Sequence, residues 1–384
     1  MQLTHEHEQL RQTFQRWITT EVNPHVDEWE REERFPARQV FKQLAALGLL
    51  GLDKPEENGG SALDYSYPAV IAELMGEIHS GGVQMGIGVQ TDMCTPALAK
   101  HGSAELRAEF LTPAISGDYV GCIGVSESGA GSDVAAIRTK ARKDGGDYVI
   151  NGEKTWITNG TQADFCCLLA NTSDGSPHAN KSLIIVPMKT KGVSVSRKIR
   201  KIGMHASDTA QLHFDDVRVP QRYLIGQEGS GFTYQMEQFQ SERLWAAMQC
   251  CSMARRAIRE TIAYTQERKV FGRSVLSNQV VHFAIAEMQV EVEALSALCW
   301  KGVEMVVRGE DATPFATMAK LKGGRLVRQV ADACLQYWGG MGYADESSIS
   351  RIYRDVRLCS IAGGADEVML QVLCKVLGIL PKRA

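Results

Sequence analysis

The spacing of hydrophobic positions along the chain changes twice and divides it into three parts. In residues 1–120, apolar side chains recur every three or four positions, as at Leu10, Phe14 and Trp17. This spacing places them on one face of a helix. Glycine-rich breaks, such as the one at 58–60, separate the helical stretches. The pattern predicts an N-terminal helical domain over residues 1–120.

Residues 121–228 have the pattern of a β domain. The β-prone residues at 148–157 flank Asn151 and Gly152, and an Asn-Gly pair between two such runs is a strong hairpin signal. Two further strands are predicted, at 182–187 and 211–214.

Long stretches without helix-breaking residues follow in residues 229–384. No glycine or proline occurs from Phe232 to Phe271, which allows a helix of about 60 Å. Further helices are predicted at 278–307, after Pro314, and at 366–377. Long helices at this density favour a C-terminal four-helix bundle. The predicted fold class is therefore mainly α with a central β domain.

Composition and charge exclude several classes of protein. The 384 residues carry 42 basic and 45 acidic side chains, so the net charge of -3 provides no basic bias toward nucleic acid. No stretch approaches about 18 consecutive apolar residues, so we expect no membrane span. The N-terminus lacks a basic start followed by an apolar core. We therefore expect a cytoplasmic location, or a mature protein from which a targeting segment has already been removed.

The ten cysteines match no metal or redox motif. None forms a C-x-x-C pair, and most lie in apolar runs, as do Cys166 and Cys167. We therefore expect buried thiols and no bound metal. The sequence also lacks a P-loop, a G-x-G-x-x-G turn between strand and helix, and the G-x-S-x-G elbow of serine hydrolases.

Five short segments, spaced over more than 230 residues, remain as candidates for chemistry. They lie at 125–133, 152–160, 266–272, 336–343 and 354–367. In this order and spacing they resemble the FAD-dependent acyl-CoA dehydrogenase family, over about residues 5–380. The resemblance implies an N-terminal helical domain, a middle β-barrel-like domain and a C-terminal four-helix bundle. It also implies a homo-oligomer, typically a tetramer, that holds FAD between subunits.

The resemblance assigns flavin contacts to the β domain. Val125 and Ser126 match residues that hydrogen-bond the flavin ring. Trp156 matches the residue that packs on the isoalloxazine, and Thr158 matches the hydroxyl near flavin N5. An aromatic plane excludes water, and a hydroxyl tunes the electronics of the ring.

Five residues of the bundle match positions that contact the FAD of a partner subunit. Arg268 and Phe271 match residues that reach across to it, and arginine suits a pyrophosphate by charge and geometry. Gln336, Gly339 and Gly340 match a turn that lets the backbone approach the same cofactor. A cationic residue at a helix C-terminus is also favoured by the macrodipole, so Arg268 has a structural alternative.

The catalytic base is predicted on the long helix. In many members of the family a loop glutamate takes the substrate α-proton, but here Gly363 occupies that position. Isovaleryl-CoA and long-chain acyl-CoA dehydrogenases carry the base on the helix, where Glu242 matches it. Asp366 is the alternative base, although we expect it to cap a helix. Among substrate contacts, Arg243 matches a residue near the acyl-CoA, and Ser132 one near the pantetheine arm.

The resemblance implies α,β-desaturation of an acyl-CoA to the trans-2-enoyl-CoA, with electrons passed to an electron-transfer flavoprotein. The backbone N–H of Gly363 is expected to polarise the thioester carbonyl. The missing loop carboxylate and the sequence at 361–370 suggest a long-chain or 3-methyl-branched substrate, similar to isovaleryl-CoA or citronellyl-CoA. Ala365 departs from the family pattern, where a small hydroxyl residue is usual. Flavin monooxygenases and nitroalkane oxidases share the architecture and are the alternative, as is a non-enzymatic scaffold.

Overall fold

A computed structural model describes residues 1–380, so the last four residues of the predicted 229–384 domain lie outside it. The first third of the chain is helical, and a π-helical turn at Val89–Met93 directly continues helix α5. The helices here are α1 (His5–Trp17), α2 (Val26–Arg31), α3 (Ala37–Ala46), α4 (Ser66–Leu74), α5 (Gly81–Gly88), α6 (Pro96–His101), α7 (Ala104–Leu106) and α8 (Thr112–Ile115).

The middle of the chain forms one eight-stranded sheet. Its strand order is β6-β7-β3-β2-β4-β5-β8, and β1 pairs in parallel with β4 outside this path. Across the described residues the end strands β6 and β8 do not pair with each other, so the sheet is open and not a closed barrel. The strands are β1 (Gly121–Gly124), β2 (Lys140–Asp144), β3 (Asp147–Thr158), β4 (Phe165–Asn171), β5 (Lys181–Pro187), β6 (Val193–Lys198), β7 (Thr209–Pro220) and β8 (Leu224–Ile225).

Long helices form the last third, which confirms the predicted fold class. The first of them ends at Glu267, before the predicted 271, because Arg268 turns into an extended conformation that leads into a short hairpin. No helix within residues 1–380 is both long and apolar enough to cross a membrane. The elements are α9 (Gly231–Glu267), β9 (Lys269–Val270), β10 (Arg273–Ser274), α10 (Gln279–Val307), α11 (Thr313–Trp338), α12 (Ser348–Val356) and α13 (Asp366–Val376).

The predicted hairpin turn at Asn151 and Gly152 is wrong. Strand β3 runs through both residues and pairs with β7 on either side, with a register shift at this point. The pair therefore marks a β-bulge. Gly152 has φ of 149°, and a Cβ there would lie 2.5 Å from the hydroxyl oxygen of Thr139. A bulge, like a turn, uses glycine because the backbone there adopts a positive φ. The hairpin turn in this part of the sheet instead joins β2 to β3.

Two hydrophobic cores organise these elements. One contains the N-terminal helices together with the bundle, and Phe14 and Phe41 belong to the same buried cluster as Trp245 and Met253 of α9. The other is the sheet core, which the helices around Phe110 cover. Because α9 belongs to the first core, its position relative to α4 and α5 is fixed by packing.

Gly76, in the turn after α4, allows the closest approach between the N-terminal helices and α9. Its N–H donates to the hydroxyl of Ser252 at 3.0 Å. An added Cβ would lie 2.3 Å from that hydroxyl oxygen and 2.3 Å from the backbone nitrogen of Met253. Real side chains do not tolerate such contacts, so α9 would have to shift.

We therefore predict that Gly76→Ala lowers the free energy of unfolding by about 2 kcal/mol or more, as overpacking of a core does. Thermal and denaturant unfolding measure this. Gly146→Ala is the matched control, since a Cβ at Gly146 meets nothing within 4 Å. Equal stability of the two variants would contradict the packing described here.

Candidate active site

Helix α5 and the π-helical turn after it join the sheet to the bundle. Gln90 accepts a hydrogen bond at Oε1 from the Gly121 N–H of β1, at 2.7 Å. The carbonyl of Met93 accepts from the side-chain amide of Gln238 on α9. Single π-helical turns are common at functional sites. Here the turn holds the start of β1 beside the first turns of α9.

The chain after β1 is held against β3 by its backbone and by one buried lysine. The Thr155 N–H donates to the Ser126 carbonyl at 2.9 Å. Lys154 is fully buried and donates from Nζ to the Val125 carbonyl and to Glu127 Oε1, both at 2.9 Å. Burial lowers the pKa of Lys154 to about 8, and the Glu127 carboxylate opposes that decrease. This pair fixes Val125 and Ser126 just after the end of β1, beside β3.

Trp156 projects from β3 next to this segment. Its indole is 62% exposed, and its φ of 65° is a conformation that few aromatic residues adopt. A register shift between Lys154 and Ile157 produces the outward orientation. Thr158 follows, half-buried, at the end of the strand. A large aromatic held outward by strained backbone is a candidate ligand contact.

Glu242 lies on α9 and is buried, with 7% of its surface exposed. Gln238, one turn earlier, donates to its Oε1 at 2.8 Å. Burial raises the pKa of Glu242 to about 8. The Gln238 hydrogen bond and the Arg243 charge oppose this increase, whereas the Asp92 charge adds to it. A buried carboxyl with a raised pKa is suited to accept a proton near neutral pH.

Arg243, beside Glu242, carries an orphaned donor. Its Nε is buried and has no hydrogen-bond partner, and its guanidinium carbon lies 6.0 Å from the ring centroid of Phe239. Burial lowers the pKa of Arg243, although Glu242 opposes that decrease. An unpaired buried donor such as this Nε is a candidate contact for a polar ligand. Ser132 lies on an exposed loop after β1.

The loop before α13 is shaped by two glycines. Gly363 and Gly364 have φ of 65° and 98°. The ammonium of buried Lys320, on α11, donates to the Gly364 carbonyl. Burial lowers the pKa of this lysine, and the Arg243 charge adds to the decrease. Within the described chain the Gly363 N–H has no acceptor. A Cβ at Gly363 would meet only the Cε of Lys320, at 3.8 Å, so the loop leaves space where a side chain could stand.

The expectation that Asp366 caps a helix is wrong. Asp366 is the first residue of α13, its preceding residue is the N-cap, and no side-chain cap hydrogen bond is present. Its carboxylate instead accepts from Arg325 Nε at 3.2 Å and lies 3.6 Å from a nitrogen of Arg328. These two arginines of α11 outcompete the local backbone because they carry full charge.

The C-terminal end of α9 carries a second group of predicted site residues. Arg268 ends the helix and is exposed. Phe271, at the tip of the β9–β10 hairpin, is fully exposed with φ of 52°. Arg268 is 26 residues beyond Glu242, which corresponds to about 39 Å along the helix axis. One chain therefore does not bring the two ends of α9 to the same place.

The glycine turn after α11 lies beside that distal end. Trp338 stacks on Tyr264 of α9, with ring centroids 4.3 Å apart and planes 5° apart. The turn that follows contains Gly339, with φ of 60°, and Gly340, and added Cβ atoms there would meet nothing within 4 Å. Gln336 is exposed one turn before. Arg268, Phe271 and this turn thus form one open surface.

Sequence reasoning missed several side chains of the site. Gln238 donates a hydrogen bond to Glu242, and the Asp92 charge raises the pKa of Glu242. Burial raises the pKa of Asp92 itself to about 6. Tyr65 donates to the carbonyl of Ser241 at 3.0 Å. These residues lie on three separate segments, so only the i to i+4 spacing of Gln238 and Glu242 was visible in the sequence.

The cysteine, histidine and acidic side chains of residues 1–380 form no candidate metal site. Within residues 1–380, no three histidine, cysteine or acidic side chains are grouped to hold a metal ion. The ten cysteines are free thiols, eight of them buried and two partly buried.

Family models for acyl-CoA dehydrogenases match most of the chain. The N-terminal domain model matches residues 4–118, the middle domain model residues 122–217, and the C-terminal domain model residues 229–378.

Individual relatives agree with these matches. The chain is 34% identical to the mitochondrial short-chain specific acyl-CoA dehydrogenase of Mus musculus, over 97% of this chain and 90% of the relative. It is also 34% identical to the mitochondrial long-chain specific acyl-CoA dehydrogenase of Sus scrofa, over 96% of this chain and 86% of the relative. The crystal structure of an acyl-CoA dehydrogenase from Geobacillus kaustophilus superposes with a TM-score of 0.94 at 35% identity, covering 98% of both chains.

The raised pKa of Glu242 predicts how stability depends on pH. The folded protein binds this proton more tightly than the unfolded chain, in which glutamate has an ordinary pKa. The stabilisation of the folded state by this tighter proton binding is therefore complete at pH about 4. It is lost as pH rises to about 8. Glu242→Gln removes this loss. The stability of the variant relative to the wild type should therefore increase by about 4 kcal/mol between pH 4 and pH 8.

Thermal unfolding of the FAD-loaded proteins at several pH values measures the difference. Glu237→Gln is the matched control, because this glutamate of α9 is 46% exposed and pairs with Lys100 at 2.9 Å. A constant gap in melting temperature between wild type and Glu242→Gln from pH 5 to pH 9 would show that Glu242 does not titrate in this interval.

Proposed function

The chain belongs to the acyl-CoA dehydrogenase family, whose members oxidise acyl-CoA thioesters with FAD, and we propose that Glu242 is its catalytic base. The buried Glu242 carboxyl, with its pKa raised to about 8, is the observation that supports the assignment. The reaction would be α,β-desaturation to the trans-2-enoyl-CoA. The proposed electron acceptor is an electron-transfer flavoprotein.

Glu242 would take the α-proton of the substrate. Its Oε1 is held by Gln238, and Oε2 receives no hydrogen bond from the described residues, so that oxygen is available to the proton. Burial keeps the carboxylate poorly solvated and therefore more basic than an exposed glutamate. When bound, FAD supplies the acceptor for the hydride that leaves the β-carbon.

The Gly363 N–H would polarise the thioester carbonyl. It has no acceptor in the described chain, and two consecutive glycines with positive φ orient this loop. A preorganised donor stabilises the negative charge that forms on the carbonyl oxygen as the α-proton leaves. Lys320 supports the same loop by its hydrogen bond to the Gly364 carbonyl. Arg243 and Ser132 are proposed contacts of the CoA part.

The segment after β1 and the adjoining part of β3 would hold the flavin ring. We assign the ring's hydrogen bonds to Val125 and Ser126, the stacking contact to Trp156, and the hydroxyl near N5 to Thr158. The exposure of the Trp156 indole and the anchoring of Val125 by Lys154 support this assignment.

The distal end of α9 would complete the FAD site of a second copy. The separation of about 39 Å along the helix supports the proposal that Arg268 would serve a cofactor other than the one beside Glu242. Arg268, Phe271, Gln336, Gly339 and Gly340 are the proposed contacts. A homotetramer is the proposed assembly.

A row of exposed apolar side chains on α10 supports assembly of the chain into an oligomer. Val280 is 74% exposed, Phe283 is 55% exposed, and Val290 is 67% exposed, at spacings that place them near one side of the helix. Exposed apolar residues grouped on one side of a helix are typical of a surface that a partner covers.

We propose a long-chain or 3-methyl-branched acyl-CoA as substrate. The space beside Gly363, where a Cβ would meet only Lys320 Cε at 3.8 Å, supports this assignment, because a loop carboxylate would otherwise occupy it. Flavin monooxygenases and nitroalkane oxidases on this architecture would not need Glu242, so its burial favours the dehydrogenase.

Glu242→Gln tests the proposal. With FAD bound, anaerobic mixing with straight and 3-methyl-branched acyl-CoAs should bleach the wild-type flavin promptly. Loss of a general base should slow bleaching by about 10²–10⁴-fold, with FAD content unchanged. Glu237→Gln, on the exposed side of α9, should react like the wild type. Bleaching of Glu242→Gln at the wild-type rate would exclude this glutamate as the base.

A further inference from the structure

The amide of Gln238 makes three hydrogen bonds, each to a different segment. Its Nε2 donates to Glu242 Oε1 at 2.8 Å and to the Met93 carbonyl at the end of the π-helical turn. Its Oε1 accepts from the Ala97 N–H at 3.2 Å. The side chain is buried, with 7% of its surface exposed.

These contacts allow only one orientation of the amide. Ala97 is the second residue of α6, so its N–H is one of the helix N-terminal donors without a partner inside the helix. The Met93 carbonyl can only accept. A flipped Gln238 would turn Oε1 toward the Met93 carbonyl and Nε2 toward the Ala97 N–H, so both backbone hydrogen bonds would be lost. Gln238 therefore always presents an N–H to Glu242.

Gln238 is the sole hydrogen-bond partner of the Glu242 carboxylate in residues 1–380. The titratable and charged groups around it are Asp92 of the π-helical turn, Arg243 of α9, Tyr65 before α4 and Cys167 of β4. Asp92 disfavours the charged form of Glu242, whereas Gln238 and Arg243 favour it. The Tyr65 hydroxyl is committed to a backbone carbonyl.

We propose that Gln238 is a positioning residue that fixes one oxygen of Glu242 and leaves the other directed to the substrate. This inference rests on the proposed role of Glu242 as base. A carboxylate held in one orientation reacts faster than one that rotates among several. Loss of the donor would also remove a stabiliser of the charged form, so the base would need a higher pH to be active.

Gln238→Met tests the role, because methionine has a similar length and no donor. At saturating substrate, flavin reduction should slow about 10-fold, KM should change less than about 2-fold, and the pH of half-maximal rate should rise by about one unit. Gln289→Met is the matched control, since Gln289 donates to Glu293 Oε1 at 2.8 Å with the same i to i+4 spacing on an exposed surface. It should keep the wild-type rate and pH profile.

Gln238→Glu provides a second variant that keeps an acceptor for Ala97 and most of the side-chain volume. An ionised carboxylate beside Glu242 should raise the pH of half-maximal rate by more than one unit. Wild-type pH profiles in either folded variant would overturn the inference. If Glu242→Gln is inactive while the Gln238 variants behave as wild type, only this inference fails. If Glu242→Gln is fully active, the proposed function itself fails.

Discussion

Burial of the Glu242 carboxyl is the constraint on which the rest of the site depends. A carboxylate removed from water is costly unless a donor meets it. The protein provides one donor, Gln238, and anchors that donor to Met93 and Ala97 on either side of the break before α6. The arrangement keeps the carboxyl basic without leaving it unpaired, because the single hydrogen bond only partly offsets burial.

The same constraint explains why the N-terminal helices and the bundle share one core. Glu242 lies where α9 passes the π-helical turn, so α9 must be fixed relative to that turn. Trp245, just beyond Glu242, packs so closely on Gly88 that a Cβ there would lie 2.4 Å from its ring. Further along, Gly76 approaches the backbone of α9 in the same way. Small residues on the N-terminal side thus position the helix that carries the base.

Much of the fold followed from the sequence, since helix and strand patterns depend on local periodicity. The Asn-Gly signal at Asn151 failed because turn and bulge demand the same backbone freedom, and only the partner strand β7 distinguishes them. The resemblance located Glu242 but said nothing of Gln238, whose partners are 145 and 141 residues away in the chain. Asp366 was misplaced for the same reason, because Arg325 approaches it from another helix.

The most direct test of the account separates proton removal from oxidation. An acyl-CoA with sulfur at the β-position cannot give up a hydride, yet its α-proton can exchange with D₂O on the enzyme. Mass spectrometry follows this exchange. We predict that the FAD-loaded wild type exchanges the α-proton at a rate that rises with pH toward about 8, and that Glu242→Gln does not exchange it. Equal exchange by the two proteins would contradict the central claim that Glu242 removes the α-proton.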